Sequence, residues 1–327
     1  MEHRIVLTGA TGGLGHAILT ELTMRHGCAA LALVRNQTWL APLAPQVRCE
    51  PVNFADVKHL TRLVEAFQPT AFIHCAATGM QTPRPTWQEM LECNVALSVQ
   101  LCEVAALVPH CQFVFVSSGL AYRNQGRPLC EDDPLDTRHP YAASKAAAET
   151  LVRAVAADCD LPLAFVRPFS FSGPGDTGTR LFPSLLRAAE QKLPLDISPG
   201  DQVRDHCAVR DIARGVLAVA VRKAACSAEP EIFNLGGGNP DTLQQLIEGV
   251  VAELDLKVKL NFGGRAPIPF EPKFLVADIS RAQNQLGWRP QINFAHAVWE
   301  LAQESFPALK LRQPAQYLLT HPTKILN

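Results

Sequence analysis

Two side chains at a helical spacing, and two serines that precede them, have the chemistry to move a proton. Tyr141 and Lys145 are four residues apart at the start of a helix-like segment, so both lie on one face of that helix. An ammonium beside a phenol favours the phenolate, and we therefore expect Lys145 to lower the pKa of Tyr141 towards neutrality. Ser117 and Ser118 follow a strand-like run, and either hydroxyl could hold the oxygen with which Tyr141 exchanges a proton.

A glycine-rich turn joins the first strand-like run to the first helix-like segment. Glycines at 9, 12 and 15 permit a tight turn, a close backbone approach to a pyrophosphate, and close helix–strand contact. The helix N-terminus offers free N–H groups and a positive dipole end to phosphates. The spacing is G-x-x-G-x-x-G rather than G-x-G-x-x-G, and a merely tight turn is the alternative. The residues predicted to contact a dinucleotide here are Gly9, Thr11, Gly12, Gly13, Leu14 and Gly15.

The end of the second strand-like run carries a cation instead of a carboxylate. NAD-binding folds place Asp or Glu here to bind the ribose 2′-hydroxyl, whereas this chain has Val34-Arg35-Asn36. A guanidinium can bind a 2′-phosphate bidentately and stack on adenine. The sequence therefore favours NADP(H) over NAD(H), with Arg35 and Asn36 at the site. The alternative is that Arg35 is a solvated charge that only stacks on adenine.

Short apolar runs alternate with helical patterns through the first half of the chain. This alternation is typical of a parallel sheet covered on both faces, and it predicts an α/β fold with a Rossmann-type doubly wound sheet and a smaller mixed α/β domain. The predicted strands are 4–7, 30–34, 47–52, 71–74, 113–116 and 163–166; the helices are 13–25, 57–67, 87–107 and 141–157. The dinucleotide-binding domain is predicted at 1–167 with a returning segment near 205–235, the substrate-binding domain at 168–204 and 236–307, and a tail at 308–327.

Composition excludes several classes of protein. Hydrophobic residues make up 47% and charged residues 19%, and the net charge of −1 gives nucleic acid no electrostatic attraction. No apolar run is long enough for a membrane helix, and the N-terminus resembles no secretory leader. Ten cysteines are scattered without a C-x-x-C pair. We therefore expect reduced thiols, no metal site, no membrane partner and a cytoplasmic location.

The assembled motifs resemble those of the extended short-chain dehydrogenase/reductases, within them the nucleotide-sugar epimerase/dehydratase/reductase group, over nearly all of residues 3–300. The family's T-G-A-x-G-x-x-G, H-x-A-A, S-S-x-x-x-Y and Y-x-x-x-K motifs match residues 8–15, 74–77, 117–122 and 141–145. Its later motifs match 167–175, 204–211, 233–236 and 278–290. Two positions depart from the pattern: Asn53 replaces an acidic adenine contact and Ser170 replaces an asparagine.

The resemblance implies roles for particular residues. It makes Ser118 rather than Ser117 the catalytic hydroxyl beside Tyr141 and Lys145, and it adds Asn94 as part of a proton path or as a backbone brace. His74 is expected to be a structural histidine rather than a catalytic one. The further implied cofactor contacts are Asn53, Phe54, Cys75, Ala76, Ala77, Tyr141, Lys145, Pro168, Phe169 and Ser170. The implied substrate contacts are Thr78, Ser118, Ser170 and Arg204, the last on a nucleotide diphosphate.

Three reactions compete within this family. Dehydratases carry an acidic pair just after the catalytic hydroxyl, where this chain has Gly119 and Leu120. Epimerases commonly hold NAD tightly and have an acidic residue where this chain has Arg35. The resemblance therefore implies an NADPH-dependent reductase of a nucleotide-linked 4-keto-6-deoxy sugar, with Tyr141 as general acid. The alternatives are an NAD-dependent nucleotide-sugar epimerase, a reductase of a non-sugar carbonyl and, in another class, a non-catalytic dinucleotide sensor.

The resemblance also bears on assembly. Family members often dimerise through a bundle of helices like 87–107 and 141–157, so a homodimer is predicted. The many Ala, Val and Leu residues of both helices are equally compatible with a buried core.

Overall fold

A parallel seven-stranded sheet forms the centre of the molecule. The computed structural model describes residues 3–24, 27–35, 45–80, 84–136, 138–176, 178–222, 229–267 and 271–317. The strands of the sheet are β1 (His3–Thr8), β2 (Cys28–Val34), β3 (Val47–Pro51), β4 (Ala71–His74), β5 (Gln112–Val116), β6 (Leu163–Pro168) and β11 (Glu231–Leu235). Their order is β11-β6-β5-β4-β1-β2-β3, and every neighbouring pair is parallel. The predicted α/β Rossmann-type sheet is confirmed, and the returning segment supplies its outermost strand.

Helices cover both faces of this sheet. The described helices are α1 (Gly13–Thr23), α2 (Val57–Phe67), α3 (Trp87–Met90), α4 (Leu97–Ala106), α5 (Pro140–Asp158), α6 (Leu181–Gln191), α7 (Val209–Val221), α8 (Leu243–Leu254), α9 (Ser280–Leu286) and α10 (Phe294–Ser305). Successive strand residues point to opposite faces, and in β1 Ile5 packs in the cluster with α1 and α7, whereas Val6 packs in the cluster with α2, α4 and α5. Fully apolar strands are stable here because neither face meets water.

The long helix predicted at 87–107 is interrupted. Six residues form a π-helical segment, Leu91–Ala96, between α3 and α4. A π segment inserts an extra residue into a turn and is often found at functional sites. Here it contains Asn94, whose side chain is completely buried and bonded to residues outside the helix. Tertiary partners that a helical pattern does not reveal therefore explain the interruption.

A separate apolar cluster lies in the later half of the chain. It gathers the buried faces of α6, α8 and α10, including Leu186, Ile247 and Val298. Small strand pairs accompany it: β7 (Ser170–Ser172) with β10 (His206–Ala208), β8 (Leu195–Ile197) with β13 (Leu260–Phe262), and β9 (Val203–Arg204) with β12 (Asp241–Thr242) and β14 (Phe274–Leu275). The division into two domains remains a prediction. Part of the predicted tail is anchored, because Arg312 donates to two backbone carbonyls at the end of α8.

The cysteines and the apolar helices bear on two expectations drawn from composition. The nine cysteines within them are all free thiols. None of the described helices has the length and apolar character needed to cross a membrane.

Candidate active site

Three adjacent strands bring the candidate residues to one edge of the sheet. β5, β4 and β1 are neighbours, and all three run in the same direction. Their carboxyl ends therefore place Ser117 and Ser118, the segment from Cys75 to Thr78, and the glycine turn side by side. Ligands of open parallel sheets bind at this edge.

The glycine turn has the close contacts that its spacing predicts. Gly9 has φ +77°, and a Cβ there would lie 2.6 Å from the Ala76 backbone nitrogen. A Cβ on Gly15 would lie 2.0 Å from the Gly9 carbonyl oxygen, whereas Gly12 has no contact closer than 3.5 Å. In α1, which is fully described, the N-terminus has no side-chain cap and no acidic residue in its first turn. Its N–H groups thus remain available for a phosphate, and the turn fits a dinucleotide. Leu14 is buried in the core, which leaves only its backbone to contact a ligand.

The opposite end of this edge forms a cleft at the place that the sequence predicts for the adenosine half of the cofactor; we call it the adenosine cleft. Arg35 is exposed at the end of β2 and lines a cleft of about 540 Å³ together with Asn53 and Phe54. The structure thus brings together three of the residues predicted to contact the cofactor. Asn36 lies outside the described residues.

Ser118 and Tyr141 meet at the cleft. Ser118 follows β5 and is half-buried, and its Oγ accepts a 3.1 Å bond from the Leu120 backbone N–H. The Ser118 hydroxyl also lies close enough to the Tyr141 phenol to lower the pKa of that phenol. Ser117, the rival candidate, is only 4% exposed. The geometry therefore favours Ser118 as the hydroxyl that works with Tyr141.

The lysine does not act on the tyrosine as the spacing suggested. Burial raises the pKa of Tyr141 to about 12, and the effects that lower it are the charge of Arg180 and the hydrogen bond with Ser118. Lys145 is 1% exposed, and its ammonium donates to the Val116 carbonyl at 2.7 Å. The expected lowering of the Tyr141 pKa by Lys145 was therefore wrong for this structure, because the long lysine side chain reaches β5 and burial outweighs the nearby charges.

Asn94 braces two segments of the site. Its Oδ1 accepts from the Thr78 backbone N–H at 2.8 Å, and its Nδ2 donates to the Thr78 carbonyl at 2.7 Å and to Ser144 Oγ at 2.8 Å. Ser144 immediately precedes Lys145, so Asn94 ties the segment after β4 to the turn of α5 that carries Lys145. A part in a proton path remains a prediction.

His74 is buried next to Asn94, and both of its ring nitrogens have hydrogen-bond partners. The Ser98 hydroxyl donates its one hydrogen to the Asn94 carbonyl, so its oxygen must accept from His74 Nε2, which lies 2.9 Å away. The other ring nitrogen, Nδ1, accepts from the Thr8 hydroxyl at 2.7 Å. Burial, with the Lys145 charge, lowers the pKa of His74 to about 3, which keeps the ring neutral. These contacts agree with the expectation of a structural histidine.

The residues after β6 lie beside the Ser118 turn. Pro168 ends β6, and Phe169, which is 4% exposed, stacks on Tyr122 with ring centroids 6.0 Å apart. A Cβ on Gly119 would lie 2.6 Å from the Phe169 ring, so this ring packs directly behind the Ser118 turn. Ser170 is half-buried in β7, where it pairs with His206.

Arg204 has a partner within the chain. Its guanidinium is 7% exposed and donates to Glu271 at 2.8 Å and to the Val203 carbonyl at 2.8 Å. The sequence implied a diphosphate contact for this residue. The structure shows that an acidic side chain already occupies one side of the guanidinium.

Gly79 was missed by the sequence analysis. A Cβ there would lie 2.8 Å from Cδ2 of Tyr141, and the residue has φ +127°. Only glycine therefore allows the tyrosine ring to sit where it does. The signal was a glycine soon after a strand end, which is too common to single out.

Among the described residues no cluster of three or more His, Cys, Asp or Glu side chains could hold a metal ion.

Comparison with known proteins defines the family. A model of the NAD dependent epimerase/dehydratase family matches residues 5–236. The chain belongs to this family of extended short-chain dehydrogenase/reductases, and it is an NAD(P)-dependent enzyme of that type.

Relatives within the family carry out different reactions. The chain is 26% identical to a dTDP-4-dehydro-6-deoxyglucose reductase of Escherichia coli over 309 residues, with 89% of this chain and 94% of the relative covered. It is 31% identical to a UDP-glucuronate 4-epimerase of Thermodesulfobacterium geofontis over 252 residues, covering 74% of each chain. The structure of MoeE5 in complex with UDP-glucose and NAD has the same fold, with a TM-score of 0.80, 24% identity, and 93% and 99% of the two chains covered.

Proposed function

We propose that this enzyme uses NADPH to reduce the keto group of a nucleotide-linked 4-keto-6-deoxy sugar. The observation that carries this proposal is the position of Ser118 beside the Tyr141 phenol at the carboxyl edge of the sheet; burial raises the pKa of Tyr141, so the phenol is protonated at neutral pH. A protonated phenol is the form that must donate in the reductive direction. A 4-dehydro-6-deoxyglucose reductase is also among the relatives that match almost the whole chain.

In this reaction the chain's own groups bind, orient and donate. A bound dihydronicotinamide supplies the hydride. The Ser118 hydroxyl orients the substrate oxygen by a hydrogen bond, and Tyr141 donates its proton to that oxygen as negative charge develops on it. Lys145 is assigned to grip the nicotinamide ribose. Val116, whose carbonyl accepts from the Lys145 ammonium, fixes the direction from which the lysine reaches the site.

Dehydration is disfavoured by the turn that follows Ser118. Gly119 is completely enclosed against Phe169, and a Cβ there would meet the ring at 2.6 Å. An acidic side chain cannot enter this position unless Phe169 moves. Leu120 occupies the next position, so the acidic pair that the resemblance associates with dehydratases is missing.

The preference for NADPH is supported by Arg35. Its side chain is exposed at the adenosine end of the cleft, where Asn53 replaces the acidic residue of the family pattern. A guanidinium there attracts a 2′-phosphate, and no carboxylate among the described residues lining this cleft repels it.

An NAD-dependent 4-epimerase is the second candidate, because a UDP-glucuronate 4-epimerase is 31% identical to this chain. The two candidates differ in how the cofactor is held. Mass spectrometry of small molecules released from freshly purified, denatured protein should find NADP(H) or no dinucleotide if the enzyme is a reductase. Stoichiometric NAD would favour the epimerase.

Turnover should then be assayed with NADPH and a panel of nucleotide-linked keto sugars. Tyr141→Phe should lower kcat by roughly 100-fold or more while NADPH binding persists, since it removes only the donated proton. Near-normal turnover in this variant would refute the general acid. Inhibition by free UDP or dTDP supports a nucleotide sugar, whereas indifference to both points to a non-sugar carbonyl.

We also infer a homodimer and a cytoplasmic location. Trp87, Leu91 and Leu151 are each about half exposed (54%, 48% and 47%) on the helices that the family resemblance assigns to a dimer bundle. The nine cysteines that the structure describes are free thiols, which suits a reducing compartment. Light scattering coupled to gel filtration tests the first inference, and a mass of 35.6 kDa, that of one chain, would contradict it.

A further inference from the structure

A buried carboxylate–guanidinium pair lies one helical turn beyond the catalytic lysine. Arg167, on β6, donates from its Nε at 3.0 Å and from a terminal nitrogen at 2.6 Å to the two oxygens of Glu149 on α5. Both side chains are buried, at 4% and 5% exposure. Such a fork-to-fork contact fixes the carboxylate in direction as well as in distance.

The pair is anchored to the rest of the sheet. The other terminal nitrogen of Arg167 donates to the Tyr122 hydroxyl at 2.7 Å and to the Glu131 carbonyl at 3.2 Å. Tyr122 in turn donates to Asn234 of β11 at 2.8 Å. The Glu149 carboxylate is therefore fixed through Arg167 to β6, to β11 and to the segment after β5.

Lys145 and Glu149 share one face of α5, four residues apart, and both point into the protein. The lysine ammonium contacts Val116 and lies 4.1 Å from the centroid of the Phe115 ring, so it is surrounded by β5. The groups whose negative charge would favour the charged form of this lysine are Cys75, Glu149 and Cys93. Burial raises the pKa of both thiols, so Glu149 is the one of the three that is ionised at pH 7. A lysine enclosed in this way without an anion nearby tends to lose its proton.

We propose that Glu149, fixed by Arg167, is a positioning residue that keeps Lys145 an ammonium and holds its turn of α5 against β5 and β6. The inference rests on the proposed function for the task of Lys145 itself. It assigns to the buried pair a role in the site beyond stability. A buried ion pair contributes little net stability compared with apolar residues, so its presence calls for another reason.

The electrostatics around Lys145 explain why one carboxylate matters. Burial lowers the pKa of Lys145 to about 8, close enough to neutrality that the remaining charges decide its state. Three other titratable groups among the described residues interact with Lys145. They are His74 at the end of β4, Cys75 just after it, and Cys93 in the π segment. Tyr141 lies one turn before it on α5. All four are neutral at pH 7, because their pKa values are raised or, for His74, lowered by burial.

The direct test follows the titration of Lys145 itself. In protein labelled with [ε-13C]lysine, the Lys145 signal is the one absent from Lys145→Met, and its shift is recorded across pH 6–11. Glu149→Gln should lower the midpoint by roughly one unit, the lower end of the effect of a nearby charge. Glu21→Gln is the matched control, because Glu21 is a buried carboxylate with two arginine partners, Arg210 and Arg214, between α1 and α7. It should leave the midpoint unchanged.

A second variant guards against two complications. Glu149→Gln leaves Arg167 as an unpaired cation, which could unfold the chain or repel Lys145 by itself. Glu149→Gln with Arg167→Met removes both charges and should still lower the midpoint. An unchanged midpoint in the double variant, or an equal shift in the Glu21 control, overturns the proposal.

The NMR measurement needs no substrate, so it separates this inference from the proposed function. If a reductase activity is found, the alkaline limb of its kcat profile should move to lower pH by the same amount in Glu149→Gln. A uniform loss of kcat at all pH values, with the midpoint unmoved, would mean that the pair is only structural.

Discussion

Replacing Arg35 by aspartate should reverse the cofactor preference. A charge-assisted hydrogen bond contributes about 1.5 kcal/mol at the lower end of its range, which suits an exposed guanidinium. A carboxylate in its place adds a repulsion of about 1 kcal/mol at roughly 4 Å in water. Together these amount to about 2.5 kcal/mol, or roughly 70-fold weaker binding of NADPH. NADH lacks the 2′-phosphate, and its affinity should stay within about threefold.

Fluorescence titration of both dinucleotides measures this change. Arg35→Met separates the two contributions, because it removes the attraction without adding the repulsion and should weaken NADPH binding by about 10-fold. Arg62→Asp is the control, since Arg62 is exposed on α2 and does not line the adenosine cleft. The effect should shrink at high ionic strength. If Arg35→Asp leaves the ratio of NADPH to NADH affinity unchanged, Arg35 does not read the 2′-phosphate and the argument for NADPH fails.

Three further predictions follow from the buried groups around the site. The pKa of His74 is about 3 in the folded protein, below its value in the unfolded chain, so the stability that the neutral ring contributes is present above pH 6.5 and is lost as the pH falls. Measured by urea unfolding, the free energy of unfolding should fall between pH 7 and pH 5 by about 2 kcal/mol less in His74→Gln than in the parent protein. Gly79→Ala should displace the Tyr141 ring and reduce kcat. Gly249→Ala is the comparison: its new Cβ meets no atom within 4 Å inside α8, so it should raise the free energy of unfolding by about 0.5–1 kcal/mol. Asn94→Ala should lower the free energy of unfolding by about 1–3 kcal/mol, because it removes the partner of the buried Ser144 hydroxyl and of two half-buried backbone groups of Thr78; an unchanged melting midpoint would contradict the brace.

Local pattern was sufficient for much of the fold. The helix predicted at 57–67 and the strand predicted at 71–74 match the observed bounds of α2 and β4, because periodicity and apolar character are properties of the segment itself. The π segment was not predictable in the same way. It depends on the contacts of Asn94 with Thr78 and Ser144, which lie 16 and 50 residues away in sequence.

For Ser118, Tyr141 and Lys145 too, the sequence predicted the positions of the residues but not the properties that depend on distant contacts. The spacing of Tyr141 and Lys145 puts both in the first turns of α5, where Lys145 is buried, and Ser118, the serine that the motif indicated, is the one close to the Tyr141 phenol. The direction of the Tyr141 pKa could not be predicted from that spacing. It depends on how deeply the phenol is enclosed and on where the lysine side chain ends, and both are set by β4, β5 and Gly79.

Arg204 illustrates why substrate identity is harder to infer than family. The motif gives the residue type and its place beside β10, but the guanidinium is shared with Glu271, 67 residues later. The pair is neutral as a whole, so a diphosphate arriving there meets hydrogen-bond donors with little net attraction. Glu271 must move aside before Arg204 can attract a dianion as an unpaired arginine would. Any attraction that Arg204 exerts on a diphosphate therefore depends on Glu271, a residue outside every motif that identified the family.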